Sequence, residues 1–172
     1  MRFLKPLRDP LAYLVVSAVT DLTSAAPLWA FRHFCRLALR SPDGSIPARA
    51  LECGAALYNA RLYFETHELL EEIWAEQPRG RDRTVLQGII QAAAGLYHFQ
   101  HANGRGGTRV LGYGLSKGEA GRPVFHGLAM DSFLDRLSGC RLAALAVLAG
   151  DQAAFPWETV PPMRFASGGE AP

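Results

Sequence analysis

Residues 63–76 contain side chains whose types and spacing could bind a metal ion. His67 and Glu71 are four positions apart, and Trp74 follows three positions later. Because each helical residue advances by about 100°, these three side chains would share a stripe about 60° wide on one helix. A neutral imidazole and a carboxylate at this spacing suit zinc, manganese, iron or nickel. The structural alternative is that Glu71 orients the His67 ring by a hydrogen bond while Trp74 packs over both.

A second polar stripe in the following apolar segment could supply further ligands. Gln87, Gln91 and His98 would lie within about 40° of one another on a helix. A buried polar side chain without a partner costs about 1–3 kcal/mol, so this stripe needs partners. If it faces His67 and Glu71, a site forms between two antiparallel helices, with His98 as a third metal ligand. The alternative is that Gln91 and His98 satisfy backbone or loop groups.

Hydrolysis is the reaction class that such a metal site would support, although the sequence leaves open whether the protein is an enzyme. The metal would acidify a bound water, and Glu68 would accept the proton as the catalytic base. Glu68 points about 100° away from His67 on a helix, so this role requires a neighbouring helix that closes over that side. Glu65, Glu68 and Glu72 are otherwise predicted to form a solvated acidic face.

A non-catalytic interaction module is the alternative function. In that hypothesis the His–Glu–Trp and Gln–His groups form a hydrogen-bonded network that fixes the register of the helices. The basic residues at 79–83 and 105–109 would then meet an acidic partner or RNA.

The elements that position these residues are predicted to be helical, because helix signals are dense and strand signals are sparse. Pro47 is predicted to begin a helix, Asp82 to cap another, and Asn59, Ala60 and Arg61 to form a turn. The predicted core helices run from Pro47 to about Tyr58, Tyr63 to Glu76, Thr84 to about His101, Thr108 to Lys117, and Leu128 to Leu148 with a break at Gly139. Residues 101–107 are predicted to be a loop. The fold class is therefore all-α, a compact bundle of about five to six helices with short loops.

The chain is predicted to contain one bundle with two appendages. Residues 1–45 are expected to be a helical N-terminal extension, residues 46–155 the bundle core, and residues 156–172 a tail that is disordered at its end.

Bulk properties favour a cytoplasmic protein that binds a small molecule or another protein. The net charge of +2 is too small to argue for nucleic-acid binding. The three cysteines are scattered without a Cys-x-x-Cys pair, which argues against a disulfide framework. The apolar run near the N-terminus is too short to span a membrane. The sequence does not indicate an oligomeric state.

The combined motifs resemble an uncharacterised bacterial and archaeal family, domain of unknown function 309. The resemblance covers about residues 48–118. It implies an all-helical bundle and a metal-binding role for the His-x-x-x-Glu-x-x-Trp motif, with no established activity. The matching residues are Asn59, Phe64, Glu65, His67, Glu68, Glu71, Trp74, Gly88, Ile90, Gln91, Tyr97 and His98. Of these, Asn59, Phe64, Glu65, Trp74, Gln91 and Tyr97 are expected to support the site.

Overall fold

A computed structural model describes Leu39, Ser41 and residues 45–166 of the chain. The chain divides into two units, residues 1–78 and residues 79–172. Apart from Leu39, Ser41 and Ser45, the predicted N-terminal extension lies outside the described residues. Among the described residues, no helix combines the length and apolar character that a membrane crossing requires.

The prediction of an all-α fold is confirmed. The described part of the chain has one small hairpin of strands β1 (Val124–Phe125) and β2 (Leu128–Ala129). Its α-helices are α1 (Ala48–Asn59), α2 (Tyr63–Glu76), α3 (Arg81–Gln100), α4 (Gly104–Gly118) and α5 (Met130–Ala149).

The first unit contains α1 and α2, which pack against each other through a glycine and two tyrosines. A Cβ atom on Gly54 would lie 2.9 Å from the Leu70 side chain, so α1 has no room for a side chain there. The rings of Tyr58 and Tyr63 meet edge to face with centroids 5.2 Å apart. The predicted apolar face of α2 is confirmed, because Leu69, Leu70 and Ile73 are all buried.

Three of these helices end in the same left-handed turn. Arg61 after α1, Ala102 after α3 and Gly150 after α5 all have positive φ angles, of 63°, 56° and 85°. In each turn the left-handed residue donates to the carbonyl three positions back, and its successor donates to the carbonyl five positions back. This is the Schellman arrangement, which satisfies carbonyl groups that the helix end leaves open. The predicted turn at residues 59–61 is confirmed.

The second unit is built on an unusually close approach of α3 and α4. A Cβ atom on Gly88 would lie 2.7 Å from the Gly118 nitrogen and 2.9 Å from the Gly114 oxygen. A Cβ atom on Gly114 would lie 2.8 Å from the Ala92 nitrogen, and one on Gly95 would lie 3.1 Å from the Gly107 oxygen. The two backbones are therefore in direct contact, which only glycine permits.

Two helix boundaries in this unit differ from the predictions. Asp82 is not the N-cap of α3, because the helix begins at Arg81 and the Asp82 carboxylate lies 2.8 Å from His126 Nε2. The predicted loop at 101–107 is wrong beyond residue 103, because α4 begins at Gly104. The Asn103 side chain accepts a hydrogen bond from the Gly106 amide and so caps this glycine-rich start.

The segment predicted as one broken helix from Leu128 is instead a hairpin strand followed by an unbroken helix. His126 and Gly127 form the hairpin turn with positive φ angles of 44° and 86°, which suits a two-residue turn. The predicted break at Gly139 is wrong: α5 continues through it, with Leu137 and Cys140 buried on either side. Burial of these neighbours outweighs the helix penalty of one glycine, which is about 1 kcal/mol.

The chain beyond α5 returns to the hairpin. The Ala129 amide donates to the Arg164 carbonyl at 2.9 Å, and the Ala166 amide donates to the Gly127 carbonyl at 2.8 Å. Met163, directly before Arg164, is buried. The tail is therefore held as far as residue 166, and residues 167–172 lie outside the described residues.

Arg122 connects the end of α4 to the start of α5. Its guanidinium donates to the carboxylates of Glu119, Asp131 and Asp135 at 2.6–3.3 Å. These hydrogen bonds, that with Glu119 first, raise the pKa of Arg122 above its usual range. The cluster is partly exposed, so we attribute only a modest share of the stability to it.

We predict that Ala102→Gly stabilises the protein. Glycine adopts the left-handed turn without the steric cost that alanine has, so the free energy of unfolding should rise by about 0.5–1 kcal/mol. Ala60→Gly is the matched control, because Ala60 has a φ of −82°. Glycine there should lower the free energy of unfolding by about 0.4–1 kcal/mol, because it raises the conformational entropy of the unfolded chain. Urea denaturation measures both, and equal losses in the two variants would contradict the turn geometry.

We predict that Gly88→Ala destabilises the protein by about 1–3 kcal/mol, because the new methyl group forces α3 and α4 apart. Gly139→Ala is the control: its Cβ would meet nothing within 4 Å in the described part of the chain. That variant should gain up to about 1 kcal/mol from helix propensity. Thermal unfolding followed by circular dichroism distinguishes them. A Gly88→Ala protein as stable as Gly139→Ala would refute the backbone contact.

Candidate metal centre

Three side chains of α2 bring potential metal ligands together. One ligand atom each from His67, Glu68 and Glu71 lies within 4.8 Å of the other two. His67 Nδ1 is 3.1 Å from Glu68 Oε1 and 4.0 Å from Glu71 Oε2. Glu68 of the same helix thus adds a second carboxylate to the predicted pair of His67 and Glu71.

The cluster lies at the boundary between buried and exposed surface. The side chain of Glu68 is 8% exposed, whereas those of His67 and Glu71 are 29% and 36% exposed. An ion could therefore reach His67 and Glu71 from solvent, while Glu68 provides a carboxylate that is largely removed from water. Two carboxylates at this separation repel each other, and a divalent cation would offset both charges.

The distances are close to those of a metal site. Metal–ligand bonds of about 2.0–2.2 Å place neighbouring ligand atoms about 3.0–3.5 Å apart. The contact of His67 with Glu68 already has this length, and a rotation of the half-exposed Glu71 side chain would bring in the third group. Three protein ligands leave coordination positions for water or substrate, as in catalytic metal sites.

The predicted need for a neighbouring helix beside Glu68 does not apply to its contact with His67. Helical azimuth separates adjacent residues by about 100°, yet these two side chains are in hydrogen-bonding contact. A glutamate has enough rotatable bonds to bring its carboxylate around the helix, so this contact needs no neighbouring helix.

The predicted solvated acidic face is wrong. Glu68 and Glu72 are 6% and 5% exposed, and Glu65 is half-buried. Sequence spacing showed that the three glutamates share a face but contained no signal for what covers it.

His98 belongs to the second unit and has a local partner. The Asn103 amide oxygen accepts from the Gly106 amide at 2.9 Å, so its NH₂ group faces His98 Nδ1 at 3.2 Å. Because the amide donates to Nδ1, the proton of the neutral ring is on Nε2. A metal bond to His98 would require this arrangement to break. Its place beside His67 and Glu71 stays a prediction.

Asn103 is the residue near the predicted site that sequence reasoning missed. An asparagine directly before a glycine-rich stretch could have indicated both the helix cap and the hydrogen bond to the preceding histidine.

The residues expected to support the site are divided between the two units. In the first unit, Asn59 is exposed at the end of α1, while Phe64, Glu65 and Trp74 are half-buried on α2. In the second unit, Gln91 and Tyr97 are half-buried on α3. The Gln91 side-chain oxygen is buried and accepts no hydrogen bond from the described residues. Tyr97 packs its ring 4.2 Å from that of His101.

Comparison with known proteins identifies the central segment. The family model described as a domain of unknown function (DUF309) matches residues 51–110, and the resemblance predicted from the motifs is confirmed there. "Uncharacterized protein YpuF" of Bacillus subtilis (strain 168) is 35% identical over 71 residues, which is 41% of each protein. The present chain thus spans about two fifths of the length of that relative. No solved structure matches the chain.

Proposed function

We propose that residues 51–110, the segment matched by the domain of unknown function, bind a divalent metal ion through His67, Glu68 and Glu71. The observation that carries the proposal is the convergence of one imidazole and two carboxylates within 4.8 Å on α2. One nitrogen and two oxygen ligands suit zinc, manganese, iron or nickel.

The burial of Glu68 supports this proposal. The Glu68 side chain is 8% exposed, so its carboxylate has lost most of its hydration and attraction to a cation is stronger there than in water. The neighbouring half-exposed ligands provide the entry path. His98 stays a proposed further ligand, and its Nδ1 would first have to part from the Asn103 amide.

We propose metal-assisted hydrolysis as the reaction class. A bound divalent ion supplies a water that is more acidic than bulk water. We assign the uptake of the proton to Glu68, whose carboxylate lies 3.1 Å from His67 on the buried side of the cluster. Glu68 can act as a ligand or as a base, and the two roles have different experimental signatures.

We place this activity in the cytoplasm and propose a small molecule as its substrate. The scattered cysteines, without a Cys-x-x-Cys pair, are the sequence feature that supports this location. Burial raises the pKa of the Cys140 thiol, which therefore stays protonated and unreactive at neutral pH.

We predict that protein freed of metal by chelation binds one equivalent of a divalent ion. Calorimetric titration with zinc and with manganese, and elemental analysis after gel filtration, measure this. At a hundredfold excess over the dissociation constant, binding to the folded state adds about 2.7 kcal/mol. The unfolding temperature should then rise by about 5–10 °C.

Substitutions on α2 show whether the ion is at the proposed place. His67→Ala and Glu71→Ala should each weaken binding at least about tenfold, because each removes a direct ligand. Glu76→Gln is the matched control, since it removes a carboxylate from an exposed position of the same helix. His98→Ala tests the fourth ligand by the same titration.

A purely structural role of the cluster predicts a different result for the same variants. If His67→Ala and Glu71→Ala lower the unfolding temperature equally with and without chelator, the cluster is a hydrogen-bonded network. Failure of the wild-type protein to retain either metal would overturn the proposal.

The variant Glu68→Gln distinguishes a role of Glu68 as metal ligand from a role as catalytic base. The amide keeps the shape of the side chain but cannot accept the proton of a metal-bound water. If Glu68 is the base, metal affinity should stay within about threefold while hydrolysis of activated phosphate or carboxylate esters falls by about 10²–10⁴-fold. A parallel loss of affinity would instead identify Glu68 as a ligand. The absence of metal-dependent hydrolysis in the wild-type protein would contradict the catalytic part of the proposal.

A further inference from the structure

An arginine occupies a position of α5 where the packing pattern calls for an apolar residue. Leu134, Arg141 and Leu148 are seven residues apart and face glycines of α4. A Cβ atom on Gly118 would lie 2.8 Å from Leu134, and one on Gly104 would lie 3.1 Å from Leu148. Arg141 takes the middle position between these two leucine contacts.

The α4 backbone is shaped to receive this arginine. Arg141 Nε donates to the Thr108 carbonyl at 3.0 Å. A Cβ atom on Gly112 would lie 3.0 Å from Nε and 3.3 Å from a terminal guanidinium nitrogen, so the glycine leaves room for the flat group. The guanidinium is therefore held in place before any ligand arrives, which reduces the entropy lost on binding.

Arg141 lies at an open cleft with a volume of about 530 Å³, within the range of small-molecule sites. The cleft is lined by Thr108, Arg109, Gly112, Tyr113, Leu115 and Arg141. Among the residues that the structure describes, no carboxylate lies within ion-pair distance of Arg109 or Arg141. Two guanidinium groups thus share one cleft, and no described carboxylate pairs with either.

The walls of the cleft add an apolar surface to this charge. Tyr113 is 55% exposed and lines the cleft. Leu115 also lines the cleft. An aromatic ring beside two cations suits a ligand that has a planar or apolar group next to its negative charge.

We propose that this cleft binds a small oxyanion, a phosphate or a carboxylate carried on a planar apolar group. The fork of a guanidinium matches both kinds of oxyanion with two parallel hydrogen bonds. Arg141 provides the fixed donor group, Arg109 closes on the anion from the exposed side, and Tyr113 stacks on the apolar group. The proposal concerns only α4 and α5 and does not depend on metal binding by α2.

Three probes test the proposal on the full-length protein: phenyl phosphate, benzoate and inorganic phosphate. Calorimetry measures affinity, and amide resonances of Gly112 and Tyr113 report the location. We expect saturable binding of phenyl phosphate or benzoate, and the tighter of the two identifies the preferred oxyanion. Inorganic phosphate should bind about fivefold to tenfold more weakly than phenyl phosphate, because it cannot stack on Tyr113.

Variants distinguish a built site from general attraction by positive charge. Arg141→Met and Arg109→Met should each weaken binding at least about tenfold, and Arg141→Lys should not restore it, because an ammonium lacks the fork. Arg109 is exposed, so its variant remains informative if Arg141→Met fails to fold. Arg136→Met is the control, since it removes an exposed charge of α5 that does not line the cleft. Equal losses in Arg136→Met, or no saturable binding of any probe at millimolar concentration, would overturn the proposal.

Discussion

The backbone contact between α3 and α4 is the constraint on which the second unit depends. The backbones of the two helices meet directly at Gly88 and Gly114, and Gly95 approaches Gly107 beside the side chains of Leu111 and Phe99. This contact fixes the rotation of α4 about its own axis. A different face of α4, with Gly112, therefore turns toward α5. Side chains of α5 lie on that second face, so the cleft between α4 and α5 follows from how α3 and α4 meet.

The helix α2 of the first unit buries both apolar and charged side chains. Leu69 and Leu70 bury an apolar face, but Glu68 and Glu72 are buried as well. Burying a carboxylate costs free energy unless a proton, a hydrogen bond or a cation compensates for the lost hydration. One such partner of Glu68 is His67, whose Nδ1 lies 3.1 Å from the Glu68 Oε1 atom.

Local sequence patterns predicted the structure correctly where neighbouring residues along the chain determine it. The bounds of α2 agree with the prediction, because apolar spacing and Pro78 define both the helix and its end. The glycine-rich start of α4 predicts a loop, because glycine is typical of loops. The contacts that stabilise a helix there come from α3, which local sequence does not show. The pairing of Phe125 with Leu128 was missed for a related reason: its two short strands depend on the hairpin turn and on the returning tail.

The sequence by itself determined that His67 and Glu71 share one side of a helix, because helical geometry fixes the directions of their Cβ atoms. Only the tertiary structure decided that Glu68 joins them, since the ends of long side chains go where packing and burial allow. The same holds for Arg141, which reads as an ordinary surface residue until Gly112 is seen opposite it. Spacing along a helix is a local property, whereas burial and the neighbours of a side chain are set by contacts between distant segments.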